Sequence, residues 1–315
     1  MSNAISFDLI ATRTAIAIAL CARSVFGGVA AAQQGGGARA ATDWSAVDQA
    51  LGRKGTTQPG NVMRYSFPRS DLQVTVSGVQ LKPAFALGSW VAFKKTGGTN
   101  AVAMGDLVLT EQEIAPVMQA LQTGGVEQTA LHNHVLMEAP RVMYMHIMAH
   151  GDAAKIAATI RSALGQTGTP MEPPATPSAA EIDLDTAGVA RALGATGKVN
   201  GGVYQVSVPR RDRVTDHGLE VPPSMGVATA INFQPTGGGK AAITGDFVMI
   251  ASEVNPVIRA LRDHGIDVTA LHSHMLTESP RLFFMHFWAN DDAVTLARGL
   301  RSALDRMAVK RATAR

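Results

Sequence analysis

The spacing of apolar positions changes period several times along this chain, and each change marks an expected element. A first helix opens at Asp43 or Ser45 and stops at Gly52. Met63 to Phe67 and Ser89 to Phe93 read as strands, and Val102 to Leu109 as a further strand broken by Gly105-Asp106, a bulge or turn rather than a site. Thr110 and Glu113 make a capping-box pattern ahead of a helix reaching Leu121, with Gly124-Gly125 as its stop. Pro116 then lies in the first turn, where a missing N–H costs little. Residues 127–135 and 141–149 read as two strands of a hairpin, and a final helix carries Ile156, Ile160 and Leu164 on one face. Gly97-Gly98 and Gly237-Gly238-Gly239 lack the strand-to-helix setting of a phosphate loop and read as hairpin turns. Strand runs interleaved with helices imply an α+β fold, a mainly antiparallel sheet with helices packed on one face.

The same pattern then repeats. Residues 105–164 align without a gap on 245–304, and 28 of 60 positions are identical. The final helix face recurs as Leu296, Leu300 and Leu304, and Pro68-Arg69 recurs as Pro209-Arg210. The chain therefore divides into a leader over 1–41, one module over 42–165, a linker over 166–179, a second module over 180–308 and a short tail over 309–315. Prolines 170, 173, 174 and 177 make the linker semi-extended.

Composition narrows the function. With 46% hydrophobic and 17% charged residues the chain is globular in kind, and a net charge of +3 without a basic run gives no footing for nucleic acid. The leader reads as an export signal: a short apolar stretch from Thr14 to Ala22, then small residues at Ala30 and Ala32 for cleavage near Ala32. Export places the protein in the periplasm or outside the cell. The single cysteine, Cys21, falls inside this segment, and Leu20 before it departs from a lipobox, so a lipid anchor is disfavoured. A chain cut after Ala32 has no cysteine for thiol catalysis, disulfides or zinc. No later stretch is long and apolar enough to cross a bilayer as a helix.

Six of the nine histidines fall at matched positions: His132, His134 and His146 in one copy, His272, His274 and His286 in the other. Glu138, Arg141 and Met145 match Glu278, Arg281 and Met285. Residues two apart on a strand share a face, so His132 and His134 point the same way. A hairpin turning about position 139 would set His132 directly opposite His146, with Glu138 at the tip near His134. Three neutral imidazoles and a carboxylate suit zinc or another divalent transition metal and leave a position for water. Arg141 suits a small polar or anionic ligand, or else pairs with Glu138. Met137 and Met145 would suit copper, although Met145 should face away from His146. Three functions compete: a hydrolase with Glu138 or Glu278 as base and Arg141 or Arg281 stabilising negative charge, a binding protein without chemistry, and a structural module whose histidines bond within the core. His150, His217 and His264 lack counterparts and read as loop or surface residues.

The run Ala-Leu-His-x-His-x-Leu-x-Glu-x-Pro-Arg-x-x-x-Met-His resembles that of the LppY/LpqO-like family of exported bacterial proteins, over both modules. The resemblance implies export and one or two such modules per chain, and it brings no activity or ligand set.

Overall fold

Residues with the right local chemistry bound the helices. The Asp43 carboxylate accepts the Ser45 N–H at 2.9 Å where α1 (Ser45–Leu51) begins, and Gly52 ends it at φ 70°. Thr110 and Glu113 form the expected capping box, after which α3 (Ile114–Thr123) runs with Pro116 in its first turn. The structure, a computed structural model, describes residues 42–172 and 182–310. The expected leader over 1–41 lies outside them, as do residues 173–179 of the linker and 311–315 of the tail.

In the first module β1 (Thr56–Gln58), β2 (Val62–Pro68), β5 (Gly88–Gly97), β6 (Asn100–Thr110), β9 (Val142–Asp152) and β7 (Glu127–His132) form one antiparallel sheet in that order. A small arm of β3 (Thr75–Val76), β4 (Val79–Gln80) and α2 (Pro83–Ala86) leaves it between β2 and β5, and β8 (Glu138–Ala139) pairs with β3. α4 (Ala153–Leu164) closes the module. The second module repeats this with α5 (Thr186–Leu193), β10 (Lys198–Asn200), β11 (Val203–Pro209), the β12–β13 hairpin (Thr215–Asp216 and Leu219–Glu220), β14 (Ala228–Gly237), β15 (Lys240–Met249), α6 (Ala251–Arg262), β16 (Asp267–His272), β17 (Phe283–Asp292) and α7 (Ala293–Leu304). Its sheet order is β10-β11-β14-β15-β17-β16. The fold is α+β with two homologous modules.

Strand periodicity divides each sheet into two buried faces. One face packs under the helices: Phe93, Leu107, Met145 and Ile147 meet Leu51, Val117, Leu121, Ile156 and Ile160 in the first module. Phe233, Phe247, Met285 and Phe287 meet Leu261, Leu296 and Leu300 in the second. The other face is covered by the opposite module. Val62, Ala92, Val102, Met104 and Met148 pack against Val214, Val221 and Met225, while Val74, Leu81 and Phe85 of the first arm pack with Val203 and Ala242. Each arm thus crosses the seam, where polar groups meet as well. Gln234 accepts the Lys82 N–H at 2.8 Å and donates to Gln80 O at 2.8 Å, and Asn232 donates to Phe85 O. The centre of the molecule is two sheets face to face, with helices outside.

One expectation fails here. Gly105-Asp106 does not break its strand, because β6 pairs with β9 without interruption from Asn100 to Thr110. Glycine serves close approach instead: a Cβ at Gly105 would crowd the Trp90 carbonyl, and one at Gly245 would collide with the Ala230 carbonyl. The carboxylate that follows each glycine is turned to the inner face, opposite a histidine: Asp106 pairs with His146 and Asp246 with His286.

Candidate metal centre

The inner faces of β7 and β9 carry His132 and His146, and those of β16 and β17 carry His272 and His286. Met145 sits in the helix-side core, on the other face from His146, as alternation requires. The register differs from the expected one by two residues. His132 pairs with Tyr144, and His146 with Ala130, so the hairpin is centred one residue earlier than expected, and a separate one-residue irregularity follows between Ala130 and Gln128. A shift of two preserves the face, so the His132 and His146 rings still lie 5.0 Å apart. His134 and His274 follow the strand ends and fold back against Tyr144 and Phe284.

The two sets of three then meet across the seam. His132 stacks on His272 and His146 on His274, each with ring centroids 3.7 Å apart, and His134 lies against His286 at 3.8 Å with the rings tilted by 33°. A pseudo-twofold axis passes between His132 and His272 and exchanges the other two pairs, since His134 matches His274 and His146 matches His286. The backbone locks the arrangement reciprocally: the Thr129 hydroxyl donates to His274 O at 2.6 Å, and the Thr269 hydroxyl donates to His134 O at 2.5 Å. All six sequence-derived histidines belong to one cluster.

Their nitrogens point at one another more than at ordinary partners. His132 Nε2 is 3.2 Å from His286 Nε2, and His272 Nε2 is 3.1 Å from His274 Nε2. His286 Nδ1 donates to Gly245 O at 2.6 Å, which puts its proton on Nδ1 and leaves Nε2 a bare lone pair. His274 Nε2 also lies 2.9 Å from Asp246 Oδ2, and one N–H cannot serve both Asp246 and His272. His134 Nε2 approaches Asp106 Oδ2 at 3.5 Å. His132 Nδ1, His134 Nε2, His146 Nε2, His272 Nδ1 and His274 Nδ1 are buried without a hydrogen-bond partner, as are Asp106 Oδ1 and Asp246 Oδ1.

Burial and crowding set the charges. Burial, then the neighbouring imidazoles, hold His132, His134, His146 and His272 far below the usual histidine range, and burial lowers His274 to about 3. Burial lowers His286 too, against the pull of Asp246 and the Gly245 carbonyl. These rings are neutral, the form that ligates metal. Asp106 is pushed up to about 8 by burial and by Asp246, against the opposing charge of Arg64. Burial raises Asp246 to about 6. The Arg64 guanidinium lies over the Trp90 ring, 3.9 Å from its centroid, and Arg64 is matched by Gln205 in the other module.

Among the described residues, ligand atoms gather within 4.8 Å in His132/His134/His286, His132/His146/His272 and Asp246/His272/His274. The glutamates and arginines of the sequence motif join none of these groups. Glu278 accepts the Leu282 N–H at 2.8 Å and the Arg281 Nη1–H at 3.3 Å, while Arg281 also donates to Met275 O and Leu276 O. Glu138 is half-buried in β8 against β3, and Arg141 is exposed. Glu278 and Arg281 thus organise the turn that delivers His274. Asp106 and Asp246 are the site residues that sequence reasoning missed. Their signal was an identical Gly-Asp inside an otherwise apolar strand of both copies.

Comparison with known families gives the chain a place. A family model described as "Domain of Unknown Function (DUF1259)" matches twice, over residues 45–166 and 187–306. The chain belongs to this family. It is a two-module member, and both matches contain the complete histidine set of their module. No curated protein matches the chain. Two solved structures are similar in part: the trimeric bacterial microcompartment shell protein PduB, at 12% identity over 82% of this chain and 96% of that one with a TM-score of 0.22, and EtuB from Clostridium kluyveri, at 11% identity over 79% and 90% with a TM-score of 0.18. Likeness at those scores carries no argument about assembly or function.

Proposed function

We propose that this protein is an exported, LppY/LpqO-like metal-binding protein whose two modules jointly hold a pair of divalent transition-metal ions, zinc by preference. His132, His134 and His286 hold one ion, and Asp246, His272 and His274 hold the other, since the ligand atoms of each set lie within 4.8 Å of one another. Asp106 and His146 lie beside them. The observation that carries this reading is the convergence of buried, neutral imidazoles from both modules, with His132 Nε2 3.2 Å from His286 Nε2 and His272 Nε2 3.1 Å from His274 Nε2. His286 holds its proton on Nδ1, so its Nε2 lone pair faces the cluster, where a cation would meet it. The Nε2 separations of 3.1 and 3.2 Å suit imidazoles about 2.0–2.1 Å from a shared zinc. The Gly245 carbonyl supports the reading by orienting His286, as outer groups commonly orient metal-ligating histidines.

Binding is favoured over hydrolysis. A bound ion would supply Lewis acidity, but the proposed base Glu278 is committed to a backbone N–H and an arginine, and the imidazoles are enclosed between sheets. The apolar stretch from Thr14 to Ala22 supports export, which would put the metal-holding role in the cell envelope. Elemental analysis of full-length protein purified without a His tag tests the reading. Two tightly held equivalents of a zinc-class metal per chain are expected, and His132→Ala/His272→Ala should lose both. Wild-type protein that neither carries such metal nor takes it up after chelation would end the proposal and leave the histidines a structural role.

A further inference from the structure

A second group of ligand-bearing side chains lies apart from the central cluster, where the first module meets the β12–β13 hairpin. His150 comes from β9, and Asp216 and His217 come from the hairpin and its turn. The three can each bring one ligand atom within 4.8 Å of the others. His217 Nδ1 lies 2.8 Å from Asp216 Oδ2, and His150 Nε2 approaches the same oxygen at 3.5 Å. The Asp216 side chain is 1% exposed, whereas those of His150 and His217 are 35% and 61% exposed. Its other oxygen, Oδ1, accepts the Thr277 hydroxyl at 2.7 Å. The carboxylate is therefore fixed from behind and meets two imidazoles in front, as an oriented metal-ligating carboxylate does.

His217 occupies the first position of the hairpin turn at φ 46°, a left-handed conformation in which His, like Asn and Asp, is enriched, and Ser77 occupies the matching position of the first module at φ 49°. A further feature sets this group apart from chance surface contacts. The pseudo-twofold mates of Asp216, His217 and His150 are Val76, Ser77 and Asn290, so all three ligands are absent together at the related place. The group exists once, and it joins residues of both modules.

We propose that His150, Asp216 and His217 form a second, solvent-facing site for a divalent transition metal. Two imidazoles and one carboxylate on one side leave the remaining positions to water, a donor set that suits zinc. Such an ion would tie β9 of the first module to the hairpin of the second. The site shares no residue with the central cluster, and it stands whether or not that cluster binds metal.

Zinc titration of chelator-treated, full-length protein by calorimetry tests it, comparing wild type with His150→Ala, His217→Asn and His132→Ala/His272→Ala. Asn tolerates the left-handed turn, and His150 can be truncated without touching the hairpin backbone. Each of the first two variants should weaken one class of sites by about tenfold or more while leaving any central stoichiometry unchanged. The double variant should retain that class. A zinc isotherm that is the same in wild type, His150→Ala and His217→Asn would overturn the proposal. So would one whose binding is lost entirely in the double variant.

Discussion

At the scale of single residues, the centre depends on burying groups that prefer water, and its pH response follows. The six central imidazoles have folded pKa values below the ordinary value of about 6.5. Below that pH the unfolded chain binds more protons than the folded one, so the imidazoles destabilise the fold as pH falls. Asp106 and Asp246, raised to about 8 and about 6, act in the opposite sense, destabilising the fold as pH rises from about 4 to their folded values. Six groups outweigh two on the acid side, and Asp106 remains the weaker influence above pH 6.5. Metal-free protein should be most stable near neutrality, with a steep acid limb that flattens in His132→Ala/His272→Ala. Urea midpoints between pH 5 and 9 measure this, and an equally steep limb in the variant would contradict it. Gly245 is a second point of control. A methyl group there meets the Ala230 carbonyl and disturbs the acceptor of His286, so Gly245→Ala should cost roughly 2 kcal/mol or more. An unchanged urea midpoint would show that the strand gives way freely.

At the scale of elements, the repeated Pro-Arg pair does the fastening. Arg69 is buried at the end of β2, where it donates to Val108 O and Glu113 at 2.7 Å and pairs with Asp71 at 2.8 Å. Arg210 repeats this with Val248 O, Glu253 and Asp212. The same Glu113 caps Thr110 and accepts the Gly168 N–H, so one carboxylate joins strand, helix and the segment after α4. Burial disfavours the Glu113 charge, but hydrogen bonds from Arg69, Gly168 and Thr110 outweigh it, and its pKa lies below its ordinary value. A lowered carboxylate stabilises the fold above its unfolded pKa of about 4.3, and that contribution is lost as pH falls through the folded value. Glu113→Gln should therefore be less stable than wild type at neutral pH, with the gap narrowing below about pH 4.3. A gap independent of pH in chemical denaturation would assign the loss to packing alone. Arg69→Ala leaves two carboxylates facing a buried carbonyl and should cost about 3–5 kcal/mol.

At the scale of the whole molecule, each module hides an apolar sheet face on the other. Residues 42–172 alone would expose Val62, Ala92, Val102 and Met104 in one patch, and residues 182–310 alone would expose Val214, Val221, Met225 and Phe284. Neither fragment should persist as a soluble monomer. Each should aggregate or pair with itself, and the two expressed together should form a one-to-one complex. Light scattering on the separated fragments decides this, and a stable, monodisperse monomer of either one would show that the seam is dispensable. Among the described residues no helix is long and apolar enough to cross a membrane.

The elements and the duplication were legible in the sequence because they rest on local chemistry: capping at Thr110 and Glu113, glycine stops at Gly52 and Gly124-Gly125, and a period of two that sets His132 and Met145 on opposite faces. The α+β layering followed from the same periods. Register was not legible to the residue, because the connection between β7 and β9 sets it, and His132 meets Tyr144 instead of His146. The joining of six histidines into one cluster was beyond any local signal, since it depends on two sheets, a hundred and forty residues apart, burying their inner faces on each other. The same contact turned Gly105-Asp106 from an apparent break into a buried carboxylate beside His134. It also left Glu138, Arg141, Glu278 and Arg281 to the turns. Local sequence determines what each strand presents, but which presented groups meet is settled only when apolar faces find their cover.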